Sequence, residues 1–318
     1  MPPFGNQYRI IFRRIMAKEK PTNGSSNGRL EVLKTYKMYV GGAFPRTESG
    51  RSYSPAPAGK PIANMCLGSR KDVRNAIVAA RTAQPGWAGR TAYNRCQILY
   101  RIGEMLEGRS AQFVAELELM GLSAAKAKQE VEASIDRLVY YAGWCDKYQQ
   151  VFSSVNPVAS SHFNFSVLEP AGVVFMVANE ESPLLGLVSV LAPIIASGNT
   201  CVMLASESKP LSAITLGEVL QTSDVPGGVA NFVTGKLDEL VEHFSKHLDV
   251  NHIAFDRNDK ESLVTIHKNA VGNLKRVRDY NSDWTDVESQ GPWMIHDFCE
   301  VKTTWHPIEK ISESGSGY

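Results

Sequence analysis

The spacing of apolar residues changes character near residue 150. Before it, apolar side chains recur three or four positions apart, as at Val73 and Ile77, which predicts amphipathic helices. Ser69 with Asp72 three positions later is typical of a capped start for the first of them. Residues 31–150 are therefore predicted to form a mainly helical region.

Beyond residue 168 short apolar runs alternate with helical segments. Val173–Val177 is a continuous run of β-forming residues, as expected of a strand buried on both faces. Similar runs recur at Thr200–Leu204, Val229–Val233 and His252–Phe255, with a helical segment before each. This alternation predicts an α/β fold with a doubly wound, Rossmann-like parallel sheet.

Residues 151–168 have a different sequence pattern from the helical region before them and the α/β region after them. Asn156-Pro157 is a turn signal, and apolar and polar residues then alternate from His162 to Ser166. This segment is predicted to be a hairpin arm.

Composition narrows the class of protein. Lys and Arg number 34 against 33 Asp and Glu, which gives no electrostatic reason to expect nucleic acid or an anionic membrane as a partner. The longest apolar run, Leu184–Ile195, is interrupted and too short to span a bilayer. The chain's 5 cysteines contain no CxxC pair, which favours a reduced, cytoplasmic protein.

The two ends differ from the rest of the chain. Residues 1–30 are basic and apolar and then polar, which is typical of a disordered leader. The alternative is an organelle-targeting segment, since Arg13 and Arg14 precede the first acidic residue, Glu19. Residues 309–318 are predicted to be a disordered tail.

Several phrases, in order, resemble the nucleotide-binding half of the aldehyde dehydrogenase superfamily. They are Tyr39–Gly42, Glu169–Val174, Ala196–Thr200, Val225–Gly235, Asp249–Phe255 and Asn273–Val277. The resemblance implies the N-terminal domain of those enzymes, with its Rossmann-like βαβ region at 169–277 and an oligomerisation hairpin at 151–168.

A second segment that resembles the family follows shortly after Asn273–Val277. Residues 300–308 open with Glu300–Trp305, which is similar to the closing oligomerisation strand of the family. The enzymes place a whole catalytic domain, with its nucleophilic cysteine, between these segments, whereas only a linker at 278–299 separates them here. The resemblance therefore implies that the catalytic domain is absent. Cys299 is best interpreted as a small buried apolar residue, so no catalytic residue is assigned.

Positions that carry chemistry in the family are altered. Glu181 stands where the family has an asparagine that holds the oxyanion, and Glu180 stands where it has a tryptophan. An ionised carboxylate only accepts hydrogen bonds and would repel an oxyanion. Leu204 replaces a lysine that contacts the adenosine ribose, although Glu207 is kept close to the family pattern.

The cofactor pyrophosphate site is altered too. The family opens a helix here with T-G-S-x-x-x-G, whose backbone N–H groups face the phosphates. This chain has Asp256, Arg257 and Asn258 instead, and the second glycine is Ser262. Side chains now stand where the backbone must approach the phosphates closely. We therefore predict no bound NAD, no other cofactor and no metal site.

These observations favour a catalytically incompetent homologue that serves as an assembly or regulatory subunit. Its expected partners are copies of itself, as a dimer or tetramer, or a full-length aldehyde dehydrogenase. The family donates its C-terminal strand to a neighbouring subunit's sheet, so the predicted interface lies on the arm and this strand. The interface residues are Phe163, Phe165, Glu300, Val301, Lys302, Thr303, Thr304 and Trp305.

Two alternatives remain open. The chain could complete a partner's site in an active NAD(P)-dependent aldehyde oxidoreductase. Alternatively, it could bind a small cationic molecule in the cleft that the family uses for its cofactor. The acidic residues for the second role would be Glu180, Glu181, Asp256 and Asp259. The aromatic group near the C-terminus could pack the linker over the core or contact a partner, and its members are Trp284, Trp293, Phe298 and Trp305.

Overall fold

The computed structural model describes residues 32–308, so the predicted leader and tail lie outside the described residues. From Lys34 the described residues form one unit. It begins with a small sheet of three short strands and continues with helices. These elements are β1 (Thr35–Tyr36), β2 (Ser52–Tyr53), β3 (Asn64–Cys66), α1 (Arg70–Ala88), α2 (Ala92–Gly108), α3 (Ser110–Leu119), α4 (Ala124–Trp144) and α5 (Tyr148–Phe152).

The predicted capping residues do begin helix α1. The Ser69 side chain accepts hydrogen bonds from the backbone N–H groups of Lys71 and Asp72, and the Asp72 carboxylate accepts one from the Ser69 N–H. This reciprocal pair satisfies donors that the first helical turn leaves without an internal partner. The apolar face of α1, including Val73 and Ile77, is fully buried.

The predicted parallel sheet lies at the centre of this unit. Its strands run in the order β10-β9-β6-β7-β8, all parallel, with helices packed on both faces. The central strand β6 and its neighbour β7 are buried along their whole length, which explains their apolar sequences. The elements are β6 (Val173–Val177), α6 (Leu185–Ala196), β7 (Thr200–Leu204), α7 (Leu211–Gln221), β8 (Ala230–Val233), α8 (Leu237–Lys246), β9 (His252–Phe255), α9 (Lys260–Ala270) and β10 (Arg276–Asp279).

Residues 278–299, which were expected to be a linker, contain regular structure and pack against the rest of the fold. Strand β10 extends the sheet beyond β9 and was not predicted, since its sequence R-V-R-D is polar and its position at the sheet edge leaves it exposed. Helix α10 (Pro292–Asp297) follows. Trp284 and Phe298 are buried in the core, while Trp293 and Trp305 are 68% and 57% exposed. The aromatic group is thus divided between core packing and surface.

The arm is a three-stranded antiparallel sheet in the order β11-β5-β4, formed by β4 (Ser154–Asn156), β5 (His162–Pro170) and β11 (Cys299–Pro307). The hairpin boundary at residue 151 is wrong, because residues 151 and 152 end helix α5, and β5 extends two residues beyond 168. Pairing of the terminal strand with a neighbouring subunit stays a prediction. Strand β11 pairs along its full length with β5 of its own chain.

Among residues 32–308, none of the helices combines the length and the apolar sequence that a membrane-spanning segment requires.

Candidate functional site

Loops from three strands meet at the carboxyl edge of the parallel sheet. This is where doubly wound folds bind ligands, because the loops after neighbouring strands diverge there and leave a crevice. Here the crevice is a cleft of about 630 Å³ whose walls come from the loops after β6, β9 and β10. Its lining residues are Asn179, Glu180, Glu181, Ser182, Asp256, Arg257, Asn258, Asp259, Asn281, Ser282, Asp283 and Trp284.

An arginine crosses this edge of the sheet. The guanidinium of Arg257, 10% exposed, lies 2.7 Å from a carboxylate oxygen of Glu180 and 3.0 Å from one of Glu207. Arg257 also donates to the backbone carbonyls of Ala178 (3.2 Å) and Ala205 (3.4 Å). One side chain of the β9–α9 loop therefore ties together the loops that follow β6 and β7. We call Glu180, Arg257 and Glu207 the ion-pair triad.

The two carboxylates of the triad have further partners. Glu180 accepts hydrogen bonds from the Ser206 hydroxyl (2.6 Å) and from the hydroxyl and N–H of Ser208 (2.6 and 3.1 Å). Burial by itself raises the pKa of Glu180, but the Arg257 charge and these hydrogen bonds outweigh it, so that pKa lies below its ordinary value. Glu207 accepts from the N–H of Leu237 (2.7 Å), the first residue of helix α8.

Asp256 lies beneath the cleft floor. It is fully buried and accepts hydrogen bonds from the Trp284 indole N–H (2.7 Å) and the Asn179 amide (3.3 Å). Burial raises the pKa of Asp256 to about 6, and the two hydrogen bonds offset only part of that rise. Asp256 thus fixes the segment after β10 against the loop after β6.

The start of helix α9 is occupied by a side chain of the same loop. Asp259 is the N-cap residue, and its carboxylate accepts from the N–H (3.1 Å) and the hydroxyl (2.6 Å) of Ser262. The hydrogen bonds from Ser262 hold the pKa of Asp259 below its ordinary value. An internal anion therefore stands at a helix end that could otherwise bind an external one.

The other predicted positions are not drawn into this arrangement. Leu204 is fully buried at the end of β7, while Glu181 and Asn258 are exposed at the cleft mouth. Of the four acids invoked for a cationic ligand, Glu180, Asp256 and Asp259 are engaged in the contacts just described.

Sequence reasoning missed the contribution of the segment after β10. The Trp284 backbone carbonyl accepts from Arg137 (3.2 Å), which also donates to the Ser189 hydroxyl (2.8 Å), so this segment is fixed to α4 and α6. A lone tryptophan in a polar stretch was the available signal, but its hydrogen-bond partner lies 28 residues away. Ser206 and Ser208 were missed because a serine pair after a strand is an ordinary loop feature.

Cys299 lies at the buried start of strand β11. Cys299 is 2% exposed, and burial raises the pKa of its thiol to about 12. A thiol in that state is not a thiolate at neutral pH. Among residues 32–308 there is also no group of three or more His, Cys, Asp or Glu side chains placed to hold a metal ion.

The fold, its cleft and its arm can now be compared with known proteins. A profile of the aldehyde dehydrogenase family matches residues 45–279. The chain therefore belongs to the aldehyde dehydrogenase family, a family of oxidoreductases.

Individual relatives agree with this assignment. An aldehyde dehydrogenase of Aspergillus niger is 29% identical over 245 residues, covering 76% of this chain and 48% of the relative. The cytosolic 10-formyltetrahydrofolate dehydrogenase of Mus musculus is 27% identical over 312 residues, covering 94% of this chain and 34% of that protein. The NAD+ complex of an aldehyde dehydrogenase from Bacillus cereus superposes with a TM-score of 0.73 at 25% identity, covering 78% of this chain and 51% of that one. The chain thus spans about half the length of such relatives, or less.

Proposed function

We propose that this chain is a non-catalytic member of its family that acts as an assembly or regulatory subunit. The observation that carries the proposal is the occupation of the ligand-binding edge by the chain's own side chains. Arg257 bridges the loops after β6 and β7, where a bound nucleotide would need open backbone. Glu181 stands at the family's oxyanion position with a charge of the wrong sign.

The residues at this edge do not fit a nicotinamide dinucleotide. The cofactor's pyrophosphate needs unshielded N–H groups at the start of a helix and close approach of the backbone. At the start of α9 the Asp259 carboxylate already accepts a hydrogen bond from the Ser262 N–H. The Arg257 side chain stands where the family has the first glycine of this turn, and it donates to Glu207. A pyrophosphate would have to displace the Asp259 carboxylate from the start of α9, and repulsion between the two negative charges would oppose its binding. We derive no catalytic step through this cofactor.

A cofactor-binding experiment tests the proposal directly. We expect millimolar NAD or NADP to leave the melting temperature of the purified chain unchanged. A ligand at one hundred times its Kd would stabilise the folded state by about 2.7 kcal/mol, which is a readily measured shift. A catalytically competent aldehyde dehydrogenase in the same buffer is the positive control. A saturable shift for this chain would contradict the proposal.

An activity experiment tests it independently. We expect no oxidation of aldehydes by the chain with either cofactor. Turnover that co-purifies with the chain would overturn the proposal, and its loss in Cys299→Ala would identify Cys299 as the nucleophile. Purification of the native protein, followed by mass spectrometry, would show whether a full-length homologue accompanies it.

A further inference from the structure

The outer edge of strand β11 is unpaired in the described part of the chain. Its inner edge pairs with β5, and every residue from Glu300 to Pro307 is exposed. An open strand edge presents free N–H and C=O groups that promote pairing with another chain, and proteins normally cover or blunt such an edge. The arm carries further exposed apolar side chains, including Val155 (67%) and Phe163 (46%).

The hydrogen-bond pattern shows which residues face outward. The Ile308 N–H donates to the Ser161 carbonyl (3.0 Å) at one end of the β11–β5 ladder, and the Ala171 N–H donates to the Phe298 carbonyl (3.1 Å) at the other. Residues of an antiparallel strand alternate in the direction of their backbone groups. Even-numbered residues of β11 thus face β5, and the outward N–H and C=O groups belong to Val301, Thr303 and Trp305.

We propose that this edge pairs with the same edge of a second copy of the chain, antiparallel and with its two-fold axis at Thr303. This inference rests on the proposed function and names the partner as the chain itself. In this register Thr303 lies opposite Thr303 of the second copy, and Val301 lies opposite its Trp305. All the outward N–H groups of these residues then find carbonyl acceptors, and the two arms form one continuous sheet.

Side chains select this register among the possible ones. It sets Glu300 opposite His306 of the second copy and Lys302 opposite its Thr304, so no like charges face each other. A shift by two residues in one direction sets the Val301 carbonyl opposite Pro307, which has no N–H to donate, and in the other direction it sets Lys302 opposite Lys302. Like charges directly opposite each other destabilise a strand pair. A shift by one residue would set outward groups opposite inward ones.

The ends of the strand agree with the same register. Pro307, which has no N–H to donate, falls opposite Cys299 of the second copy. The Cys299 carbonyl already accepts a hydrogen bond from the Arg276 side chain of its own chain. Pro307 therefore faces the Cys299 carbonyl, which already has a hydrogen-bond donor within its own chain.

Light scattering of the intact chain at graded concentrations tests the pairing. We expect a dimer, at twice the 35.0 kDa mass of one chain. Thr303→Pro removes an N–H that faces outward, where an edge strand tolerates proline. It should weaken dimerisation roughly thirtyfold, as the loss of two hydrogen bonds implies. Thr303→Ala keeps the N–H while losing the hydroxyl contact to Ser166, and should remain dimeric.

Cysteine cross-linking tests the register. Residues 302 and 304 face each other between copies as a non-hydrogen-bonded pair, whose Cα separation of about 4.5 Å suits a disulfide. Under mild oxidation, a mixture of Lys302→Cys and Thr304→Cys chains that have exchanged subunits should form a mixed dimer. The wild-type chain, with its own free cysteines, is the background control. Cross-linking of Lys302→Cys alone, or of Thr304→Cys alone, would overturn the proposed register.

The outcomes separate this inference from the proposed function. A wild-type monomer, or a dimer unaffected by Thr303→Pro while circular dichroism shows intact folding, overturns the pairing and leaves the non-catalytic assignment standing. Recovery of a complex with a full-length homologue, in place of a dimer, would also overturn it. Binding of NAD would overturn the proposed function whatever the oligomeric state.

Discussion

Arg257→Ala is the perturbation that most directly tests how the loops at the carboxyl edge of the sheet are held together. It removes both ion pairs of the triad and the donors to two backbone carbonyls. Loss of one partner from a fully buried ion pair costs about 3–5 kcal/mol, whereas exposed pairs contribute about 0–1 kcal/mol. Arg257 is 10% exposed, but Glu180 and Glu207 are 31% and 36% exposed.

The expected cost therefore lies between these limits, at about 2 kcal/mol. Glu180 keeps its hydrogen bonds from Ser206 and Ser208, which limits the loss. Unfolding entropy of about 2.1 cal/mol/K per residue makes 1 kcal/mol correspond to about 1.5 °C in Tm for a chain of 318 residues, so the variant should melt roughly 3 °C lower at pH 7. Arg101→Ala is the matched control, because Arg101 pairs with Glu104 in an exposed helical pair and should change the free energy of unfolding by less than about 0.5 kcal/mol.

The pH dependence of the difference in stability between wild type and Arg257→Ala is a second test. The folded-state pKa of Glu180 lies below the ordinary value of 4.5, so its ionised form stabilises the fold above that pH and the contribution is lost as the pH falls through the folded pKa. Without Arg257 the burial effect is less opposed and that pKa rises. The gap in stability between wild type and variant should thus be full at pH 7 and narrow as the pH falls below about 5.

Unfolding by urea at pH 7 and near pH 4, followed by circular dichroism, measures both quantities. Equal stability of wild type and Arg257→Ala at pH 7 would refute the argument that the triad holds the loops together. A gap that widens on acidification would refute the assignment of the effect to an ionised Glu180.

Two other predictions concern Trp284 and its packing. Trp284→Phe leaves buried Asp256 without its 2.7 Å hydrogen bond and should lower the free energy of unfolding by about 2 kcal/mol, measured by urea unfolding; an unchanged midpoint would contradict the role of that bond. A Cβ at Gly186 would lie 3.1 Å from Trp284 and from Asn179, so Gly186→Ala should destabilise by about 1–2 kcal/mol. Gly143→Ala, at a helical position with open space around it, is the control and should be neutral or stabilising by up to about 1 kcal/mol; similar effects of the two substitutions would show that helix propensity, not packing, decides.

The sequence by itself determined the elements whose patterns are local. The capping pair at the start of α1 and the fully apolar strands β6 and β7 need only near neighbours to be recognised, and the family phrases placed them in order. The polar strand β10 escaped because an edge strand lacks the apolar sequence that marks an inner one. The sequence left the packing of residues 278–299 open for a related reason, since Trp284 and Phe298 are core residues whose contacts are distant in sequence.

The tertiary structure alone decided how the charged residues of the cleft are used. The sequence grouped Glu180, Glu181, Asp256 and Asp259 as the acids that would suit a cationic ligand. It could not show that Arg257 pairs with Glu180 and Glu207 or that Asp256 is buried against Trp284, because such pairings depend on distances between loops after different strands. The same holds for the arm. Alternation along β11 defined its two faces, but only the pairing with β5 fixed which backbone groups face outward.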